Sequence, residues 1–322
     1  MKNILIHCSI NSHVGIGHYK RCLSFANELA IYYNLFFAIE DGNDNLDYNY
    51  NYIYLNIDCI NDQLINIVNQ NNIDIVIFDI HHNYNSYNFS NLLSKLSFIN
   101  VKLVSIDCLI EYQNYLEIIF YPSFSIPNSV KINSNKIVYG WDCFLINPLY
   151  NKISWNPGKN ILILTGGSDK MKYSSYLPEI LLSKIPEIYN IIWIKGPFAL
   201  SPNKSVLNNE RFILIDSPAS IDKYIISSNY ALTIYGVTFF ELTYYGLPTV
   251  VFSPYGDKDF DNLESIKNKN IASVGVDHID GVNKLNYLLQ NDNYSKELSE
   301  NSKQILKYSG KNKFINLILN IN

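Results

Sequence analysis

The chain lacks any lysine/arginine-rich run, any Cys-x-x-Cys pair, any Gly-x-Ser-x-Gly elbow and any unbroken apolar stretch of about 18 residues. Each absence removes a class of function. Without a basic stripe, a nucleic-acid partner is not expected. Without paired cysteines, zinc and dithiol chemistry fail. Five cysteines (Cys8, Cys22, Cys59, Cys108, Cys143) are scattered and odd in number, which fits reduced thiols in the cytoplasm. The missing elbow leaves an acyl-transfer triad without support. No integral membrane segment is expected, and no signal-peptide h-region precedes the first strand. Charge is sparse too: 25 basic and 29 acidic side chains give a net charge of −4.

What is present is apolar and alternating. Hydrophobic residues make up 48% of 322 positions, enough for more than one core. The 26 tyrosines, with abundant Asn and Ile, read as compositional bias and not as a binding function. Short apolar runs predict strands at Asn3–Cys8, Leu35–Ile39, Tyr52–Leu55, Asp74–Phe78, Lys102–Ile106 and Glu117–Phe120. Helical patterns lie between them. After a linker holding Trp155-Asn156-Pro157-Gly158, strands are predicted at Asn160–Leu164, Ile191–Ile194, Phe212–Ile215, Tyr230–Thr233 and Thr249–Phe252. One long helical stretch, about Ser295 to Leu319, closes the chain. The alternation predicts an α/β protein of two domains, 1–150 and 151–322, each with a mainly parallel sheet and helices on both faces. Two such units in series imply a cleft for a ligand.

The first strand runs into Gly15-Ile16-Gly17-His18-Tyr19-Lys20-Arg21-Cys22. A glycine-rich turn between strand and helix is where α/β proteins approach phosphorylated ligands. His18 can exchange protons near neutral pH. Arg21, three residues on, shares its helical face. The plain alternative is an ordinary turn with a solvated histidine. Asp79 and Asp107 each end a predicted strand, and His81 and His82 follow the first; strand ends of this kind reach a ligand, and Asp79 is the better candidate.

In the second half, Gly236-Val237-Thr238 opens a short helix, Glu241 lies one turn in, and Gly246-Leu247-Pro248 ends it. Backbone N–H groups of Gly236, Val237 and Thr238 suit a diphosphate. A capping box of Thr238 with Glu241 is the plain alternative. Gly166-Gly167-Ser168-Asp169 and Lys195-Gly196-Pro197 follow two further strands. Gly167 and Ser168 are candidates for the sugar or phosphate, Gly196 for the nucleotide. Asp257-Lys258-Asp259 imitates a metal-binding Asp-x-Asp, but nothing else calls for a metal or cofactor.

The string from Gly15 to Ala26 resembles the N-terminal signature of the UDP-sugar hydrolase of pseudaminic acid biosynthesis and its spore-coat-polysaccharide relatives, with Phe25 where they carry leucine. Val138-Tyr139-Gly140 with Phe144 to Pro148, and Ile163 to Asp169, also resemble segments of that family, although Asn147 stands where it usually has arginine. The resemblance implies a GT-B type fold, two Rossmann-like domains facing across a cleft, which needs no metal. It implies hydrolysis of a UDP-linked amino-deoxy sugar. His18 would be the base, Gly15, Gly17, Arg21, Asp79, Gly167 and Ser168 the substrate contacts, and Gly196, Gly236, Val237, Thr238 and Glu241 the nucleotide contacts, with Glu241 on the ribose. The alternative is an inverting glycosyltransferase in which a glycan acceptor hydroxyl replaces water. A binding protein without turnover is a third reading, disfavoured by His18, Arg21 and Glu241 occurring together.

Overall fold

The computed structural model describes residues 1–10, 16–40, 46–47, 49–81, 88–124, 126 and 135–321. The chain forms two compact units, Met1–Leu145 with Gly310–Asn322, and Ile146–Ser309.

In the first unit the elements run β1 (Asn3–Cys8), α1 (Gly17–Leu29), β2 (Asn34–Ile39), β3 (Asn51–Tyr54), α2 (Ile60–Gln70), β4 (Ile75–Asp79), α3 (Phe89–Phe98), β5 (Lys102–Ile106), β6 (Ile118–Tyr121) and β7 (Ile137–Tyr139). The sheet is parallel, in the order β3-β2-β1-β4-β5-β6-β7. β1 and β4 read as unbroken apolar runs because helices cover both faces of the sheet; Ile4, Leu5, Ile6, Val76, Ile77 and Phe78 are all buried. The strand order reverses between β1 and β4, and Cys8 pairs with Asp79 at their carboxyl ends. That point is where an open α/β sheet takes its ligand.

The second unit repeats the plan: β8 (Asn160–Leu164), α4 (Leu177–Lys184), β9 (Asn190–Lys195), α5 (Lys204–Leu207), β10 (Phe212–Asp216), α6 (Asp222–Ile226), β11 (Tyr230–Ile234), α7 (Val237–Tyr245), β12 (Thr249–Phe252), α8 (Phe260–Asn268), β13 (Ser273–Gly275), α9 (His278–Gln290) and α10 (Asp292–Ile305). Its parallel sheet has the order β10-β9-β8-β11-β12-β13, so its switch point lies between β8 and β11. The turns carrying Gly166-Gly167 and Gly236 follow those two strands.

The predicted closing helix is two helices. α10 stops at Ile305, and α11 (Lys311–Leu319) belongs to the first unit, not to the second as the sequence pattern had it. Gly310 makes the junction. A Cβ there would meet the carbonyl carbon of Cys143 at 2.6 Å and Asp142 O at 2.8 Å, and its N–H donates to Phe144 O at 2.8 Å. α11 then seats Phe314 against Phe25 and Phe120, ring centroids 4.7 Å and 5.0 Å apart. Lys311 pairs with Glu28 at 2.6 Å. Among the described residues no helix is long and apolar enough to cross a membrane.

Candidate active site

α1 begins at Gly17, with Ile16 at the N-cap position and no side chain capping it. His18 is therefore in the first turn, at the carboxyl end of β1. Among the described residues a Cβ at Gly17 would meet nothing within 4 Å, so their packing does not demand this glycine. Gly15 and His82 lie outside the described residues.

Asp79, the last residue of β4, is fully buried. Its Oδ1 lies 2.6 Å from Nδ1 of His18. Arg21 donates to it twice, from Nε to Oδ2 at 2.8 Å and from Nη2 to Oδ1 at 2.5 Å. The thiol of Cys22 donates weakly to Oδ2 at 3.5 Å. Burial pushes the carboxyl upward, but the charges of Arg21 and His18 and their hydrogen bonds outweigh it, holding Asp79 well below the usual carboxylate range. The group is thus an ionised, acceptor-only carboxylate.

That ionisation assigns the tautomer of His18. A carboxylate at 2.6 Å requires Nδ1 to carry the hydrogen, so the approach of Arg21 Nη2 to the same nitrogen, 3.3 Å, is a contact between two donors and not a hydrogen bond. In the neutral ring Nε2 is then the acceptor nitrogen. Such an arrangement can serve as a base oriented by a carboxylate behind it. Burial dominates at the neighbouring thiols and pushes Cys22 and Cys108 up, so neither is a thiolate nucleophile.

Asp107 follows β5 with a left-handed backbone, φ 58°, and accepts from Arg21 Nη1 at 3.0 Å. His81 presents its ring edge-on to His18, centroids 6.4 Å apart, and its backbone N–H donates to Ser9 Oγ at 3.1 Å. His18, Arg21, Asp79, His81 and Asp107 were separate sequence candidates; the structure gathers them in one cluster. Sequence reasoning missed the ion pairs joining Arg21 to both carboxylates. The available signal was that consecutive predicted strands run directly into Asp79 and Asp107.

In the second unit Gly236 is the N-cap of α7, and among the described residues a Cβ there also meets nothing within 4 Å. Val237 and Thr238 are half-buried at the first helical positions. The plain alternative, a capping box of Thr238 with Glu241, does not form: the helix starts two residues earlier than that motif needs, and no side chain caps it. Glu241 is half-buried one turn in. The predicted stop holds, with Gly246 left-handed at φ 78° and Leu247 N–H bonded to Leu242 O at 3.1 Å.

Gly167 and Ser168 are half-buried beyond β8. Asp169 turns inward, accepting from Tyr173 N at 2.9 Å and Ser174 N at 2.8 Å. Gly196 has a packing reason for being glycine: a Cβ would come within 2.5 Å of both Gly166 O and Gly167 O. Asp259 Oδ2 accepts from Ser253 Oγ at 2.5 Å. Among the described residues no three His, Cys, Asp or Glu side chains are grouped to hold a metal ion.

No family model and no curated protein sequence matches the chain. Solved structures match it end to end. MurG of Acinetobacter baumannii aligns with a TM-score of 0.70 at 13% identity, covering 100% of both chains. Phytolacca americana UGT2, complexed with UDP-2-fluoro-glucose and pterostilbene, gives 0.65 at 11% identity, covering 99% of each. The fold is of the GT-B type. S. aureus MnaA, in a co-structure with UDP, shares this fold with a TM-score of 0.63 at 13% identity, covering 99% of this chain and 96% of that one. In GT-B terms the first unit carries the His18 cluster, and the second carries the Gly236 and Gly167 turns.

Proposed function

We propose that the chain is an enzyme using a nucleoside-diphosphate sugar, and that His18 is the general base of a single displacement at the anomeric carbon. The observation that carries this is the 2.6 Å contact of His18 Nδ1 with the buried, ionised Asp79. It leaves Nε2 to take the proton of a hydroxyl. As that proton leaves, the oxygen bonds to the anomeric carbon. The bond from that carbon to the diphosphate breaks, and the nucleoside diphosphate departs with the electron pair. One displacement inverts the configuration. The backbone N–H groups at the start of α7, with Gly167 and Ser168, suit the diphosphate charge, and Glu241 suits the ribose.

The nucleophile favoured is an acceptor hydroxyl, so the reaction is glycosyl transfer. The fold supports this, since the calicheamicin glycosyltransferase CalG4 and the glycosyltransferase VinC share it. Hydrolysis of a UDP-linked amino-deoxy sugar is the second reading, supported by the Gly17-His18-x-x-Arg21-Cys22 signature. Product analysis by mass spectrometry across a UDP-sugar panel, with and without cell-extract acceptors, separates them. Transfer predicts donor turnover that depends on acceptor. Rapid release of free sugar in buffer alone would reverse the order. Full turnover by a folded His18→Asn variant would remove the base from both.

A further inference from the structure

Arg21 is 7% exposed, and its hydrogen bonds are spent on carboxylates. Nε and Nη2 fork onto the two oxygens of Asp79, at 2.8 Å and 2.5 Å. Nη1 reaches Asp107 Oδ2 at 3.0 Å. A fork of this kind fixes the plane of a carboxylate, which is otherwise soft in its last torsion. With the plane fixed, Oδ1 keeps one direction open, toward Nδ1 of His18. The far end of the guanidinium is steadied by Asp107. Its left-handed backbone is pinned by an N–H bond to Phe120 O at 3.0 Å, and its side chain is 40% exposed.

We infer that Arg21 is a positioning residue for the base: it fixes Asp79, and through Asp79 the tautomer and orientation of His18, while Asp107 aligns the guanidinium. This rests on the reading of His18 as the base. In this role Arg21 acts through a carboxylate and does not bind substrate.

The test uses the full-length chain, Arg21→Gln, Arg21→Lys and Asp107→Asn. Nitrogen-15 NMR of labelled histidine reads the tautomer without substrate, and the spectrum lost in His18→Asn assigns His18 among six histidines. The wild type is expected to carry the hydrogen on Nδ1 of His18. In Arg21→Gln the tautomers are expected to mix, and kcat to fall about 10–100-fold at unchanged KM. Arg21→Lys restores part of the loss. Asp107→Asn keeps a side chain that tolerates the left-handed backbone and is expected to shift the tautomer ratio less.

A folded Arg21→Gln with the wild-type tautomer and kcat overturns the inference. So does a rise in donor KM at constant kcat, which marks a direct substrate contact. If Arg21→Gln does not fold, an unchanged tautomer ratio in both Arg21→Lys and Asp107→Asn overturns it. Activity retained by His18→Asn would defeat the base reading, while the tautomer measurement still decides what Arg21 does.

Discussion

At the scale of single residues, two buried titrating groups make the protein sensitive to acid in different windows. His7 is fully buried, and its Nδ1–H donates to Ala38 O at 3.0 Å. Burial lowers its pKa to about 4, against the weaker opposite pull of that bond. The unfolded chain therefore binds a proton near pH 6.5 that the folded chain refuses until about pH 4. Stability is full above pH 6.5 and declines as pH falls to about 4, by about 3 kcal/mol at roughly 1.4 kcal/mol per pKa unit. Replacing His7 with Gln should flatten the urea midpoint over that window; an unchanged slope would assign it elsewhere. Asp79 acts lower. Its folded pKa is depressed, so its contribution is present above the ordinary carboxylate value of about 3.9 and is lost as pH falls through the folded one. Asp79→Asn should remove this acid-limb loss. At neutral pH it should cost about 3–5 kcal/mol, because Arg21 is left buried without its main counter-charge.

At the scale of elements, the close contact at Gly196 gives a sharper test than the helices themselves. Gly196→Ala would drive a methyl into Gly166 O and Gly167 O, each at 2.5 Å, so the turn after β8 must move. UDP affinity measured by calorimetry should weaken, although the substituted residue need not touch the ligand. Retained affinity would mean that the Gly167-Ser168 turn does not hold the nucleotide. The same scale shows what could be read beforehand. The interior strands are apolar on both faces, so composition alone marks them. β7 and β13 span three residues each, too short for any periodic signal, and both lie at sheet edges. α9 buries Gly281, Val282, Leu285, Leu288 and Leu289, a helical spacing masked by a glycine in its first turn. That glycine is packed against Phe252 and Leu232, where a Cβ would sit at 3.1 Å and 3.3 Å. The candidate site was legible as residue types at strand ends and in one turn. Its wiring was not, because Arg21 and Asp79 are 58 positions apart and no local pattern couples them.

At the scale of the whole molecule, the chain's return to its first unit makes the carboxyl terminus structural. Phe314 and Ile318 are fully buried and Ile315 nearly so. Burying three such side chains contributes roughly 1.5–3 kcal/mol each, which together is comparable to the whole stability of a typical domain. Lys313 adds a 2.8 Å bond to Asp142, and the hydroxyl of Tyr33 donates to Ile318 O at 3.4 Å. A chain ending at Ser309 should therefore lose the first unit selectively. Phe25 and Phe120 would be uncovered, α1 would lose its packing partner, and the His18–Asp79–Arg21 cluster would lose the helix that presents it. The second unit has its own core around Trp193, Leu232 and Val250 and contains no residue beyond Ser309. Limited proteolysis followed by mass spectrometry should find early cuts confined to Met1–Leu145, with UDP binding by calorimetry retained and turnover abolished. Cuts spread evenly over both units would show that they fold as one, and protection of both would show that α11 is dispensable.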